Sequence, residues 1–139
     1  MGNLQSTVLL TGRAQGPLLK LSADISFWGG VDPLSGKIID RRHPQYGESV
    51  AGRILAMVRS IGSSSGSSIL LELFRLKLAP AGIILVETDF VITLGVVVAR
   101  EMGYPGIPVV RIQASDFQKL PNMVSIGSQG EIGSRLPSR

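Results

Sequence analysis

Two kinds of apolar pattern alternate from residue 54 to about residue 112, and they predict different elements. Apolar stretches of strand length occupy residues 54–58, 81–86 and 108–112, the last of which also contains Arg111. Between these runs, apolar residues recur at the three- and four-residue spacing of helices, first after residue 68 and again up to about Met102. The order strand, helix, strand, helix, strand is typical of a parallel α/β unit.

The first predicted helix has one apolar face, formed by Ile69, Leu70, Leu73, Phe74 and Lys77. Glu72 and Arg75 fall on the side that is available to water. The second helix can be capped by Asp89, and Gly103 with Pro105 ends it.

The first third of the chain has a different pattern, with short apolar runs between many turn residues. Residues 7–10 and 18–21 are predicted strands, joined by a turn at 12–17 in a hairpin-like start. The segment 27–33 holds the only tryptophan and is too rich in glycine and proline for a regular element. A short strand is predicted at 37–39, followed by a polar, irregular stretch.

These patterns predict one α/β domain over residues 1–126, with a mostly β N-terminal third and a parallel β-α-β-α-β unit. One helical turn at 115–118 and a short strand at 123–126 complete it. No internal repeat is visible. Residues 127–139 are predicted to form a frayed, flexible tail.

The composition is that of a compact globular protein. The chain has 139 residues, of which 44% are hydrophobic and 17% are charged. Its formal charge of +4 is spread along the chain, with Arg41 and Arg42 as the densest basic pair. Such mild basicity suits an acidic substrate or partner and does not indicate nucleic-acid binding.

Cysteine is absent, so this chain offers no disulfide, zinc-thiolate or iron–sulfur ligands, and any such cofactor would bind to a partner. We assign no metal ligands to it. The N-terminus lacks the pattern of a secretory signal, and the longest apolar stretch, 81–99, is interrupted by Glu87 and Asp89. We therefore predict a soluble, cytoplasmic protein without a membrane partner.

Glycine and serine connect the predicted strand at 54–58 to the following helix, in the order Gly62-Ser63-Ser64-Ser65-Gly66-Ser67-Ser68. We call residues 62–68 the serine loop. Glycine permits a tight turn, serine is a favoured N-cap residue, and the N–H groups of a first helical turn suit an anion. The run could also be a structural cap only, or a flexible linker. A linker is disfavoured because a strand enters the loop and an amphipathic helix leaves it.

The serine loop also satisfies the G-x-S-x-G pattern of serine hydrolases, with Ser64 at its centre. Those enzymes place their acid and their histidine after the serine, whereas the only histidine here, His43, precedes it. Any serine run between two such glycines satisfies this pattern automatically. A minimal serine hydrolase is therefore the least favoured alternative.

The helix alone would not turn a loop serine into a base. A helix N-terminus stabilises nearby negative charge by up to ~2 kcal/mol, and one pKa unit corresponds to ~1.4 kcal/mol. The gain is about one to one and a half units, far too little for a serine hydroxyl near neutral pH. The sequence thus predicts a composite site, completed by substrate charge, further donors, a cation or a metal.

The polar segment before the loop contains three candidate contacts. Arg41 and Arg42 could bind a carboxylate, pair with a partner subunit or face water, and we favour the partner. His43 could contact substrate, although a structural hydrogen bond is the commoner role. Residues 27–30 are expected to pack on the core or against a partner, and Asp32 to cap a turn.

Four motifs follow one another in the chain: Phe-Trp-Gly-Gly-Val-Asp at 27–32, Asp-Arg-Arg-His-Pro at 40–44, Gly-Glu-Ser at 47–49, and the serine loop. With them the chain resembles, over residues 7–112, the small swivelling-domain subunit of aconitase X. The resemblance implies a swivelling β/β/α fold like the mobile fourth domain of aconitases. It also implies a large catalytic subunit as partner, which carries the iron or iron–sulfur centre through its cysteines.

The chemistry that the resemblance implies is that of a hydro-lyase, a dehydratase that is not active as this chain alone. A loop serine would remove a proton from the carbon beside the departing hydroxyl. Matching the motifs assigns this base to Ser63, with Ser64 and Ser65 as alternates because a serine run has no unique register. The residues then expected to bind a small carboxylate substrate are Gly62, Ser64, Ser65, Gly66, Ser67, Arg41 and His43. Aconitases proper carry an arginine where this chain has Ser65, so carboxylate recognition must differ.

The resembled family acts on cis-3-hydroxy-L-proline or on mevalonate 5-phosphate. We favour hydroxyproline, because residues 57–61 are more similar to the bacterial members and no new basic cluster adjoins the loop to hold a phosphate. Arg41, Arg42 and Arg59 could still form such a cluster in three dimensions. The alternative from another functional class is a regulatory module that binds a small anion at the helix N-terminus.

Overall fold

The computed structural model describes residues 4–62 and 64–134. In this part of the chain the strands are β1 (Leu4–Gln5), β2 (Thr7–Leu10), β3 (Ala14–Lys20), β4 (Ile54–Met57), β5 (Gly82–Leu85), β6 (Val109–Arg111), β7 (Met123–Ile126) and β8 (Glu131–Gly133). The helices are α1 (Phe27–Gly30), α2 (Gly66–Arg75), α3 (Phe90–Glu101) and α4 (Ala114–Phe117). None of them is long and apolar enough to cross a membrane.

All the strands belong to one sheet, in the order β1-β8-β7-β3-β4-β5-β6-β2. Strands β3 to β6 are parallel to one another, and the remaining pairs are antiparallel. The two edge strands, β1 and β2, are separated in the chain only by Ser6, so the sheet nearly closes on itself. The predicted α/β fold with its parallel β4-α2-β5-α3-β6 unit is confirmed.

Helices α2 and α3 pack together over one face of the parallel strands. Helix α2 buries the apolar face that the sequence predicts, with Ile69, Leu70, Leu73 and Phe74 inside. Lys77, the fifth residue predicted for that face, instead lies beyond the end of α2. Gly95 lets α3 approach α2 closely, since a Cβ there would lie 3.0 Å from Leu70 Cδ2. The opposite face of the sheet is covered by Phe117 and Leu120.

The predicted hairpin at the start of the chain is wrong. The expected turn at 12–17 lies largely inside β3, which pairs with β4 and β7, whereas β2 pairs with β6. Gly16 serves a close approach and not a turn, because a Cβ there would lie 2.9 Å from the carbonyl oxygen of Gly52. Pairing with β4 begins only at Leu18, so that ladder does not need the N–H that Pro17 lacks.

The chain also departs from prediction near its C-terminus and at 37–39. Strand β8 lies between β1 and β7, in a stretch where the sequence predicts a frayed tail, so the sheet extends beyond the predicted boundary at residue 126. A turn closed by a hydrogen bond from Gly127 N–H to the Glu131 carbonyl leads into it. The predicted strand at 37–39 is reduced to isolated bridges made by Lys37 and Ile38.

Candidate active-site groove and serine loop

The carboxyl ends of parallel strands meet at one edge of the sheet, where α/β proteins usually bind ligands. Three connections leave this edge here: residues 21–26 after β3, residues 58–65 after β4 and residues 86–89 after β5. The serine loop is the second of them. Ser63 lies outside the described residues, whereas Gly62 and residues 64–68 of the loop are described.

Both glycines of the serine loop lie close to residues from neighbouring segments. Gly62 has a φ of 92°, and a Cβ there would lie 2.7 Å from the Ser26 Oγ atom. At the other end, a Cβ on Gly66 would lie 3.3 Å from Val91 Cγ1 and 3.4 Å from Phe27 Cβ. The ends of the loop are therefore held against residues 26–27 and the first turn of α3, which is not the behaviour of a flexible linker.

The start of α2 differs from the anion cradle that the sequence suggests. Ser65 occupies the N-cap position without a side-chain cap hydrogen bond. The backbone N–H groups of Ser67 and Ser68 bond to the carbonyl oxygens of Ser64 and Ser65, and the hydroxyls of Ser67 and Ser68 donate to the same two carbonyls. These donors are thus used within the turn, while Ser64 and Ser65 are exposed at the surface.

Asp89 links the segment that enters the serine loop to α3. Its side chain is only 7% exposed, and its Oδ1 atom accepts the N–H of Ile92 at 3.0 Å as the N-cap of α3. Its Oδ2 atom accepts the N–H of Ser60 at 2.6 Å and the hydroxyl of Ser60 at 2.5 Å. The sequence predicts the cap but not the second link, which depends on β4 and β5 being neighbours.

Arg59, which follows β4, forms ion pairs with residues that follow the neighbouring strands β3 and β5. One guanidinium nitrogen lies 3.0 Å from Asp24 Oδ2 and the other lies 3.1 Å from Glu87 Oε2. The two carboxylates offset its positive charge. Arg59 is therefore occupied and does not join Arg41 and Arg42 in a phosphate-binding cluster in this structure.

A groove of about 440 Å³ lies beside the entrance to the serine loop. Its lining combines three stretches of chain: residues 24–26 with 28–30, residues 39–42, and Ile61. We call it the arginine groove, because Arg41 and Arg42 are its basic residues. Its size is within the range of small-molecule sites. Residues from the first two of the four sequence motifs thus meet next to the serine loop, which is the fourth.

The two arginines of the groove differ in their partners. Arg42 is 93% exposed and lies 3.6 Å from Asp40, a surface ion pair that contributes little. Within residues 4–62 and 64–134, the guanidinium of Arg41 has no hydrogen-bond or ion-pair partner. Arg41 is consequently the cation most available to a carboxylate that enters the groove.

His43 is buried and both of its ring nitrogens are engaged. Its Nδ1 atom accepts the N–H of Gln45 at 3.0 Å, so Nε2 carries the proton and donates to the Ala23 carbonyl, also at 3.0 Å. These contacts hold the 40–47 segment against residues 22–24. They favour a structural role for His43, which is the commoner role of this side chain, and they leave no ring nitrogen for substrate.

The aromatic motif is more regular than predicted, because residues 27–30 form the short helix α1, which has non-helical backbone at Trp28 and Gly29. Asp32 caps a turn, as the sequence predicts. Phe27 is buried in the core, whereas Trp28 is 58% exposed at the edge of the arginine groove. The carboxylate of Asp32 accepts the Ser35 hydroxyl at 2.7 Å and the Leu34 N–H at 3.0 Å, which caps the turn. Both hydrogen bonds lower the pKa of Asp32, and the bond from the Ser35 hydroxyl has the larger effect.

Comparison with known families identifies the domain. The profile of the Aconitase X swivel domain matches residues 3–133. This chain belongs to the aconitase X swivel domain family. Aconitase X from Thermococcus kodakaraensis, in its holo-form, has the same fold, with a TM-score of 0.83 and 29% identity over 95% of this chain and 97% of that one. The predicted resemblance and the swivelling fold are confirmed.

Relatives with two different names are similar to this swivel domain. Cis-3-hydroxy-L-proline dehydratases of Hypocrea jecorina and Pseudomonas aeruginosa are 42% and 46% identical to it, over 84% and 73% of this chain. This chain spans only 20% and 17% of their lengths. The phosphomevalonate dehydratase small subunit of Methanothermobacter thermautotrophicus is 35% identical, over 79% of each chain. Swivel domains of this kind therefore occur within long chains and in small subunits.

The iron centre implied by the aconitase X family does not fit the residues of this chain. The described residues contain no group of three or more His, Cys, Asp or Glu that could hold a metal ion. Cysteine is absent from the whole sequence.

Proposed function

We propose that this chain is the small subunit of an aconitase-X-type hydro-lyase and forms one wall of its active site. The observation that carries the proposal is the arginine groove, where residues of two family motifs meet beside the serine loop. Membership of the swivel domain family supports a dehydratase, because the named relatives carry that activity. A large subunit would supply the iron or iron–sulfur centre, since this chain has no cysteine and its described residues include no group of metal ligands.

In this proposal Ser63 is the general base. It removes a proton from the carbon beside the one that bears the hydroxyl, and the C–H electron pair becomes the new double bond as the hydroxyl departs. Ser64 and Ser65 remain the alternates. The constraint on Gly62 supports this assignment, because a base is effective only when the backbone that carries it is fixed.

Arg41 is the residue that we propose for binding the substrate carboxylate. It lines the arginine groove and has no partner among the described residues. A guanidinium can hold a carboxylate through two parallel hydrogen bonds. This would replace the arginine that aconitases carry at the position of Ser65. His43 stays a predicted contact, but its two hydrogen bonds favour the structural role.

Cis-3-hydroxy-L-proline is the substrate that we propose. The two hydroxyproline dehydratases are 42% and 46% identical to this chain, against 35% for the phosphomevalonate dehydratase small subunit. The pairing of Arg59 with two carboxylates also removes one cation from a phosphate site. Mevalonate 5-phosphate is the second candidate, because this chain spans 79% of that small subunit but at most 20% of the two hydroxyproline enzymes.

The exposed side of α3 is where we propose that the large subunit packs. Its exposed apolar residues are Phe90, Leu94, Val97, Val98 and Met102, and we call them the α3 face. Phe90, which is 81% exposed, follows the residue that contacts Ser60, so the α3 face begins beside the serine loop. A partner that completes the active site next to this loop would cover these side chains. Apolar patches of this kind commonly mark protein interfaces.

Co-purification from the native host, followed by assay of the complex, tests the proposed function. We expect a large iron-containing partner and dehydration of cis-3-hydroxy-L-proline when both candidate substrates are supplied side by side. Dehydration of mevalonate 5-phosphate alone would reassign the substrate. A chain that purifies without a large partner and binds a small anion would favour the regulatory module instead. We also expect the complex to be found in the cytoplasm.

A further inference from the structure

We infer that Asp89 is a positioning residue for the serine loop, an inference that rests on the proposed function of that loop. A helix cap needs a single carboxylate oxygen, and Oδ1 fulfils that need by accepting the N–H of Ile92 at 3.0 Å. The second oxygen leaves its own helix and takes both donors of Ser60, at 2.6 and 2.5 Å. Ser60 stands three residues before the proposed base.

The start of α3 contacts the chain just before the serine loop and again near the end of the loop. Asp89 holds Ser60 before the loop, and Val91 packs against Gly66 after it, where a Cβ would lie 3.3 Å from Val91 Cγ1. Helix α3 is itself held against α2 at Gly95. The position of α3 therefore determines where the serine loop lies at the edge of the sheet. Asp89 makes the polar contact between them, and Val91 makes the apolar one.

Burial makes the connection strong. Asp89 is 7% exposed, and hydrogen bonds to a buried carboxylate are stronger than those to an exposed neutral acceptor. The backbone N–H of Ser60 would lose its acceptor if Oδ2 were replaced by a donor. The segment that leads to the base would then shift, and a displacement of about 1 Å in an active site can cost roughly 10²-fold in rate.

Asp89→Asn separates the two roles of this side chain. Asparagine is as good an N-cap as aspartate, so its oxygen can still accept the Ile92 N–H. Its NH₂ group would face the N–H of Ser60, which is a donor against a donor. Ser60→Ala tests the same link from the other side, because it removes the hydroxyl and keeps the backbone hydrogen bond.

A matched control is available at Asp32. Its carboxylate also accepts one backbone N–H and one serine hydroxyl, but it caps an isolated turn and has no contact with the serine loop. Asp32→Asn thus removes the same chemistry at a site without a role in the reaction. We expect its kcat and KM to remain within about threefold of those of the wild type.

The test compares these variants in the complex with the large subunit, by steady-state kinetics and by amide hydrogen exchange. For Asp89→Asn we expect kcat to fall roughly 10- to 100-fold with KM within about threefold, because the arginine groove is unchanged. Ser60→Ala should also lower kcat, but by a smaller factor than Asp89→Asn. Exchange should become faster in residues 60–68 while residues 93–101 of α3 keep their protection.

Two outcomes would overturn the inference. One is an Asp89→Asn complex whose kcat stays within threefold of the wild type. The other is equal loss of protection in α3 and in the loop, which would make Asp89 a helix cap only. If the wild-type complex shows no dehydratase activity, the proposed function fails, and the exchange comparison still decides whether Asp89 holds the loop.

Discussion

Replacing Gly62 by alanine tests how tightly the entrance to the serine loop is constrained. Gly62 has a φ of 92°, in a left-handed region that costs an L-residue about 1–2 kcal/mol. The new Cβ would also lie 2.7 Å from Ser26 Oγ and 3.1 Å from Ser26 Cβ. Overpacking of this kind adds roughly 1–3 kcal/mol, so we expect a total loss of about 2–5 kcal/mol in unfolding free energy.

Gly47→Ala is the matched control for the backbone cost alone. Gly47 has a φ of 87° and no heavy atom within 4 Å of the position of a Cβ. We expect it to lose only about 1–2 kcal/mol. At roughly 4 °C per kcal/mol for a domain of this size, its Tm should fall by about 4–8 °C and that of Gly62→Ala by about 8–20 °C.

The assay is thermal and denaturant unfolding of the purified chains, followed by kinetics of the complexes. Adding Ser26→Ala to Gly62→Ala should recover part of the steric loss but not the backbone cost, and the single Ser26→Ala variant closes the cycle. We expect dehydration to fall in Gly62→Ala and to persist in Gly47→Ala. Equal stability losses in the two single glycine variants would refute the steric part of this reasoning, and no loss in either would refute all of it.

Three further predictions concern the partner surface, a turn and the groove. Leu94→Asp on the α3 face should leave the stability of the isolated chain within about 0.5 kcal/mol of wild type but abolish pull-down of the large subunit, whereas Leu34→Asp in a remote turn should not affect pull-down. Folding lowers the pKa of Asp32, so its ionised carboxylate stabilises the fold at pH values above the unfolded-state pKa. Asp32→Asn should therefore reduce the unfolding free energy in that range. In acid unfolding, the difference in unfolding free energy from wild type should vanish as pH falls through the folded-state pKa. Arg41→Ala should lower kcat/KM by about 10- to 100-fold, mostly through KM, with a smaller effect for Arg42→Ala; equal effects would contradict the distinction between them.

Local patterns were sufficient for the parallel half of the fold. The strand at β5 and the cap at Asp89 follow directly from apolar runs and from the residue types at helix ends. Gly16 and Pro17 misled the prediction, because the same residues that make turns also occur in strands where a backbone approaches closely or a ladder bond is not needed. Strand β8 is too short to be recognised without its neighbours in the sheet.

The candidate site was predictable as a set of motifs but not as a geometry. The serine loop and Arg41 stand out in the sequence, yet only the fold brings the 24–30 and 39–42 segments together at the loop entrance. The links from Asp89 to Ser60 and from Arg59 to two carboxylates join residues 28 or more positions apart. Such pairs depend on the order of strands in the sheet, which no local pattern contains.

The most direct test of the central proposal is Ser63→Ala in the reconstituted complex, assayed for dehydration of cis-3-hydroxy-L-proline. Loss of a positioned general base typically costs at least ~10²-fold, and we expect a loss of that size in kcat. Ser64→Ala and Ser65→Ala test the two alternates, and we expect each of them to lose less activity than Ser63→Ala. A Ser63→Ala complex that also stays within a few-fold of wild type would contradict the proposal that Ser63 is the base.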